Sequence, residues 1–87
     1  MARELRTTRS FDRSFQRLPK TIQEQAVAKL DLFLRDASHP SLRVKRIKSS
    51  QSLWEMSITM NYRITFEVLG ETVVLRRIGT HDILRSP

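Results

Sequence analysis

Residues 53–78 read LWEMSITMNYRITFEVLGETVVLRRI, and this stretch decides the fold. Apolar residues alternate with polar ones in two runs, residues 53–59 and 62–68, which is the pattern of half-buried β-strands. The apolar positions of the two runs are Trp54, Met56 and Ile58, then Tyr62, Ile64, Phe66 and Val68. A third run, residues 72–78, is more uniformly apolar, as expected for a central strand. The stretch therefore predicts three consecutive strands.

The loop between the first two strands sets their register. Their apolar faces coincide only if even-numbered residues pair with even-numbered ones, which requires an odd loop. Residues 59–61 supply a loop of three residues, and we expect Asn61 to adopt the left-handed conformation there. The predicted pairs are Trp54–Phe66, Met56–Ile64 and Ser57–Arg63.

The second turn has Gly70 before Glu71, as a type II′ hairpin turn requires. The predicted pairs across it are Val68–Val73, Phe66–Leu75, Thr65–Arg76 and Arg63–Ile78. Both hairpins then share one apolar face. The opposite, polar face collects Glu55, Ser57, Arg63, Thr65, Glu67 and Arg76. We expect this polar face to stay open, because no further long helix follows in the sequence.

The first half of the chain indicates a short strand, residues 4–8, and then two helices. Ser10 is the expected N-cap of the first helix, which Pro19 closes. Thr21 with Glu24 forms a capping box for the second helix. We therefore predict a single α+β domain over residues 1–87, in the order β-α-α-β-β-β, with a small twisted, mainly antiparallel sheet and an αα-hairpin on one face.

Amino-acid composition and net charge exclude several classes of functional site. The chain has 87 residues, no cysteine, and sixteen Lys and Arg against nine Asp and Glu, for a net charge of +7. Cysteine-based metal sites and thiol catalysis are excluded, the two histidines share no ligand spacing, and we expect neither a metal nor a cofactor. No apolar run is long enough to span a membrane, and no secretory signal is evident, so we expect a cytoplasmic protein. The charge points to polyanionic partners.

The C-terminal end of the polar face carries the residues best suited to chemistry. The predicted register brings Arg63 close to Arg76 or Arg77 and to the turn that holds His81. RNA supplies its own nucleophile, the 2′-hydroxyl, so cleavage needs a proton carrier and stabilisation of charge on the phosphate. A histidine changes its protonation state near neutral pH, and arginines stabilise phosphate charge. This group is suited to cleaving RNA without a metal ion.

Simpler interpretations remain open for the same residues. His81 follows a glycine-containing strand end, where a histidine often only completes a turn, and Arg63 has Glu55 nearby as a surface partner. A basic run beside the sheet is either a nucleic-acid contact or an ordinary solvated strand or loop. It consists of Arg43, Lys45, Arg46 and Lys48.

The segment Tyr62-Arg63-Ile64-x-Phe66 and the ending VLRRIGTHD, residues 74–82, together with the order of elements, resemble the RelE/ParE superfamily of bacterial type II toxin–antitoxin toxins. The RelE and YafQ branches are the nearest. The resemblance covers nearly the whole chain. It implies a small endoribonuclease that cuts mRNA in the ribosomal A site, inhibits translation, and is neutralised by an antitoxin from the same operon, which we expect to be acidic.

The resemblance also assigns roles. Arg63 matches a phosphate-contacting catalytic arginine, and Arg77 and His81 match the arginine and the acid/base histidine of the YafQ-like ending. The residues expected to contact RNA or the ribosome are Arg43, Lys45, Arg46, Lys48 and Arg76. The lysine pair of RelE is replaced by Trp54 and Met56. Two alternatives therefore stand: a ParE-like poison of DNA gyrase, and a catalytically degenerate nucleic-acid-binding protein of the same fold.

Overall fold

The computed structural model describes residues 4–48 and 50–87. Strands and helices follow in the order β1 (Glu4–Thr7), α1 (Arg9–Gln16), α2 (Lys20–Arg35), β2 (Lys45–Arg46), β3 (Leu53–Ser57), β4 (Tyr62–Leu69) and β5 (Thr72–Thr80), with short 3₁₀ turns at Pro40–Leu42 and His81–Arg85. The sheet has five strands in the order β1-β5-β4-β3-β2. The predicted α+β class is confirmed, and the basic run supplies one more strand, β2, than the sequence analysis counted.

The sheet is mainly antiparallel, as predicted. Only β1 runs parallel to its neighbour, with Glu4 beside Thr72 and Thr7 beside Leu75. The β3–β4 register is confirmed in all three predicted pairs, Trp54–Phe66, Met56–Ile64 and Ser57–Arg63. Gly70 has a φ of +62°, as the predicted turn requires.

The predicted β4–β5 register is right near the turn and wrong beyond it. Phe66 pairs with Leu75 as predicted, but Thr65 pairs with Arg77 and Arg63 with Gly79. A β-bulge inserts Arg76 as an extra residue between these pairs, so the register shifts by one position.

The loop between β3 and β4 also differs from the prediction. Asn61 is not left-handed, because Arg43 is the one non-glycine residue with positive φ among those described. The hydroxyl of Thr59 closes the turn instead, accepting hydrogen bonds from the backbone N–H groups of Asn61 and Tyr62, both at 3.2 Å. A side-chain acceptor here replaces the backbone conformation that we expected of asparagine.

Both helices begin earlier than the sequence suggests. Thr8, not Ser10, caps α1, and its hydroxyl accepts from the backbone N–H of Phe11 at 3.1 Å. Pro19 precedes the first residue of α2, so Thr21 and Glu24 lie inside the helix and the predicted capping box does not form. The carbonyl of Pro19 starts this helix by accepting from the N–H groups of Ile22 and Gln23, each at 3.0 Å.

The core lies between the two helices and one face of the sheet. Phe33 of α2 meets Phe66 of β4 edge-to-face, with ring centroids 5.3 Å apart. Trp54 is partly buried and packs against the core, as its position on the apolar face predicts. The buried apolar residues of the main cluster are Phe11, Ala26, Phe33, Leu42, Met56, Ile58, Ile64, Phe66, Val73, Leu75 and Ile78.

The polar face of the sheet is not open, contrary to our expectation. The chain turns back over it after β5, and Ile83 packs on the surface that Gly79 leaves free of a side chain. Three polar residues of this face, Glu55, Ser57 and Thr65, are only 6%, 8% and 0% exposed. A short 3₁₀ turn has too weak a pattern to predict, and this one lies against β4 and β5.

The longest helix, α2, has 16 residues. In the described part of the chain, no helix combines the length and the apolar character that crossing a membrane requires.

Candidate functional site

A basic groove lies between α2, the Pro40–Leu42 turn and the β3–β4 loop. It has a volume of about 380 Å³ and is lined by Lys29, Ser41, Arg43, Ser57, Ile58, Thr59, Met60 and Arg63. Three of these residues are cations and none is acidic. Lys29 and Arg43 form no ion pair with any carboxylate among residues 4–48 and 50–87. The groove therefore carries uncompensated positive charge.

Arg63 is the most constrained of the predicted site residues. Its Nη1 donates to the carbonyl oxygens of Thr59, Met60 and Tyr62 at 2.7, 3.0 and 3.1 Å. Its Nε lies 3.7 Å from Oε1 of Glu55. Arg63 thus holds the β3–β4 loop together, while no residue in the described part of the chain binds its Nη2.

Arg76 and Arg77 both turn toward the C-terminal residues, because the bulge places two successive side chains on one face. Arg77 Nη1 donates to the carbonyl of Ser86 at 2.9 Å, and Arg76 Nε donates to the carbonyl of Pro87 at 3.3 Å. Thr65 shares that Pro87 oxygen at 3.3 Å. The Nε of Arg77 is buried without a hydrogen-bond partner. The two arginines border a depression with Thr8, Ser10, Ser86 and Pro87.

His81 begins the final 3₁₀ turn and is exposed. It borders an open depression of about 530 Å³ with Met60, Asn61, Tyr62, Thr80 and Asp82. Within the described ranges, no residue hydrogen-bonds to its imidazole. Both ring nitrogens are therefore available to a bound molecule.

The predicted catalytic residues do not share one cavity. Arg63, Arg77 and His81 line three separate depressions. Met60 borders both the basic groove and the His81 depression, so these two meet at the β3–β4 loop. Met60 is 89% exposed, and its apolar side chain lies between the basic groove and the His81 depression.

The predicted basic run forms the sheet edge on the β3 side. Lys45 and Arg46 are exposed and pair with Glu55 and Trp54 in the backbone ladder. The Arg46 guanidinium lies over the Trp54 ring, 5.1 Å from its centroid. This cation–π contact holds a positive charge at the edge of the sheet.

The sequence analysis did not identify Lys29 as a site residue. In the structure its Nζ donates to Ser41 Oγ at 3.0 Å, which brings it to the wall of the basic groove. The sequence offered one signal, a lysine in the second half of a helix that a proline-containing turn follows. Among the described residues, no three His, Cys, Asp or Glu side chains cluster closely enough to hold a metal ion.

Three solved structures share this fold at low sequence identity. A chain of the RelB–RelE antitoxin–toxin complex from Methanococcus jannaschii is 21% identical, with 92% of this chain and 94% of that one covered at a TM-score of 0.74. A chain of the DinJ–YafQ toxin–antitoxin complex from E. coli is 10% identical, with coverages of 97% and 98% and a TM-score of 0.78. The YoeB/ParE toxin from Agrobacterium tumefaciens is 18% identical, with coverages of 91% and 99% and a TM-score of 0.76.

These similarities establish the fold, and the sequence itself establishes the family. No curated protein sequence matches this chain. The pattern of the ParE-like toxin domain matches residues 20–82, which include α2, four of the five strands, and every predicted site residue. The chain therefore belongs to the ParE-like toxin domain family.

Proposed function

We propose that the chain is the toxin of a type II toxin–antitoxin pair, and that it is a metal-independent endoribonuclease that cuts mRNA in the ribosomal A site and so inhibits translation. The observation that carries the proposal is the junction at Met60. There, a groove with three cations and no acidic lining residue adjoins the depression that His81 borders, and the His81 imidazole has no hydrogen-bond partner among residues 4–48 and 50–87. Phosphate-binding charge next to a free proton carrier is what RNA cleavage needs.

The proposed roles follow the chemistry of each side chain. In the cleavage step, His81 accepts the proton of the 2′-hydroxyl and donates a proton to the leaving 5′-oxygen. Arg63 and Arg77 stabilise charge on the scissile phosphate, Arg63 through its free Nη2 and Arg77 after releasing the carbonyl of Ser86. The 2′-hydroxyl of the RNA is the nucleophile: it attacks the phosphorus, and the 5′-oxygen leaves with a proton. The ribosome orients the message in this scheme, which suits a protein whose own groups lie in separate depressions.

The proposed contacts to RNA and the ribosome are Arg43, Lys45, Arg46, Lys48 and Arg76. The proposed antitoxin is an acidic protein encoded in the same operon. Two of the structural neighbours are chains of antitoxin–toxin complexes, RelB–RelE and DinJ–YafQ. The net charge of +7 favours an acidic partner by long-range attraction.

The test is a cell-free translation reaction to which the purified chain is added. Primer extension on the message should show cuts within codons that occupy the A site, and translation should stop. The same message without an initiation site is the control, and it should stay intact. If translation continues on an uncut message, the ribonuclease proposal is wrong.

A second candidate function is poisoning of DNA gyrase. The family description, ParE-like toxin domain, favours it, as does the separation of Arg63, Arg77 and His81 into three depressions. Purified gyrase with supercoiled plasmid and ATP distinguishes the two candidates. A gyrase poison would accumulate linear DNA while leaving messages uncut in the translation reaction. A catalytically degenerate nucleic-acid-binding protein would produce neither product.

A further inference from the structure

The basic groove contains a cation that the proposed ribonuclease chemistry does not use. Lys29 reaches the groove from α2 and is fixed there by Ser41, whose Oγ lies 3.0 Å from its Nζ. Ser41 is fixed in turn by His39, because Nδ1 of His39 accepts from the Ser41 N–H at 3.2 Å and lies 2.9 Å from the Ser41 Oγ. A lysine held in place by a hydrogen-bond chain has already lost much of its side-chain entropy before any anion binds.

Arg43 places a second cation on the lining of the groove. Arg43 has φ 48° and ψ 47°, the left-handed conformation that favours glycine. Its N–H closes the Pro40–Leu42 turn by donating to the carbonyl of Pro40 at 3.2 Å, so the turn imposes this conformation. Glycine would fit the position with less strain, and an exposed arginine there has no ion pair to justify it among the described residues. Arg43 therefore adds to the groove a positive charge that no carboxylate among the described residues compensates.

We propose that the groove binds one phosphodiester of a single-stranded RNA, next to the phosphodiester that is cut at His81, and that Lys29 is an RNA-binding residue. This inference rests on the proposed function. Lys29, Arg43 and the free Nη2 of Arg63 supply charge to the phosphate, and the hydroxyls of Ser41 and Thr59 lie on the same lining. Met60 borders both depressions, so a strand leaving the groove passes its exposed thioether before it reaches His81.

The test measures binding without cleavage. A short fluorescein-labelled 2′-O-methyl RNA has no free 2′-hydroxyl and cannot be cut, and its affinity is measured by fluorescence anisotropy. Lys29→Gln and Arg43→Gln should each weaken binding about tenfold, as expected for the loss of a charge-assisted contact. Each should also lower the slope of log affinity against log salt by about 0.7, the value for one phosphate contact on a single strand.

Arg13→Gln is the matched control. It removes the same charge from α1, where Arg13 is exposed and lines none of the grooves described. It should leave both affinity and slope close to those of the parent. Lys29→Arg keeps the charge and should bind within about twofold of the parent, and circular dichroism checks that every variant is folded. The proposal is overturned if Lys29→Gln binds like Arg13→Gln, or if Lys29→Arg loses as much affinity as Lys29→Gln.

Message cleavage by the same variants separates this proposal from the proposed function. Binding that depends on Lys29 without any cleavage by the parent would support the groove and reject the ribonuclease. Cleavage by the parent with binding that is indifferent to Lys29 would support the ribonuclease and reject the groove.

Discussion

Arg63 Nε lies 3.7 Å from Glu55 Oε1, and both side chains are shielded from water, with exposures of 18% and 8%. The two residues occupy neighbouring strands on the polar face, and Glu55 also pairs with Thr65 across the sheet. The sequence suggested a surface ion pair between them. In the structure the ion pair is largely buried. Removing one charge therefore leaves the other without solvation by water and without a counter-charge.

The first prediction concerns this pair. Arg63→Met should lower the free energy of unfolding by about 3 kcal/mol, because Glu55 is left as an uncompensated buried charge and the β3–β4 loop loses a donor to three carbonyls. Glu55→Gln in the same chain should recover part of that loss. Urea denaturation of the two single variants and the double variant measures the coupling energy.

The Arg76–Glu67 pair is the matched control, since it has the same chemistry at 42% and 26% exposure and a distance of 3.9 Å. The same cycle there should give a coupling below about 1 kcal/mol. Equal couplings for the two pairs would contradict the assigned difference in burial.

The second prediction concerns the contact that seats the C-terminal turn. A Cβ at Gly79 would lie 2.8 Å from Cγ2 of Ile83, which is a steric clash between the two carbon atoms. Gly79→Ala should therefore cost about 1–3 kcal/mol in the free energy of unfolding, as overpacking does. In a chain that already carries Ile83→Ala, which removes Cγ2, adding Gly79→Ala should cost much less. Thermal unfolding of the four proteins decides this, and a cost that is independent of Ile83 would disprove the contact.

The third prediction concerns the proton carrier. His81→Ala should slow message cleavage about 10²-fold or more, because general acid–base catalysis contributes at least that much. Stability should hardly change, since the imidazole is exposed and has no partner among the described residues. Single-turnover cleavage on programmed ribosomes measures the effect. Arg85→Ala, in the same turn and paired only with Asp82 at 3.9 Å, is the control and should cut at the rate of the parent.

The fourth prediction concerns the left-handed residue. Arg43→Gly should raise the free energy of unfolding by about 1 kcal/mol, because glycine adopts this conformation without the steric cost that a Cβ brings. Arg43→Ala removes the same charge but keeps the Cβ, and should bring no such gain. Chemical denaturation compares the two variants, and a gain of equal size in both would show that charge repulsion, not backbone strain, is relieved.

The sequence was sufficient to predict the strands in which apolar and polar residues alternate regularly. Strict alternation through β3 and β4 predicted the register from Trp54–Phe66 to Ser57–Arg63, because a slip of one residue would expose the core face. The bulge was missed although a signal was present. Leu75 and Ile78 are both core residues three positions apart, and an unbroken strand cannot point both to one face.

The candidate site was harder to predict, because it depends on short turns. The final 3₁₀ turn packs on the polar face. Ser41 of the Pro40–Leu42 turn accepts a hydrogen bond from Lys29, which therefore lines the same groove as Arg43. Neither turn has a periodic pattern. The sequence analysis identified Arg63 as a candidate site residue but not its hydrogen bonds to three loop carbonyls. Those bonds depend on the backbone conformation of the β3–β4 loop, which the pattern of side chains does not predict.

The parallel pairing of β1 with β5 bears on when the protein can act during its synthesis. Glu4 lies beside Thr72, so its partner in the sheet is 68 positions further along the chain. Closing so long a loop carries an entropic cost that is repaid only when β5 is present. The sheet therefore cannot be completed on the ribosome until β5 has emerged, and β5 also carries Arg76 and Arg77. The parallel pairing therefore makes completion of the sheet depend on the same strand that positions Arg76 and Arg77, so neither forms before β5 is in place.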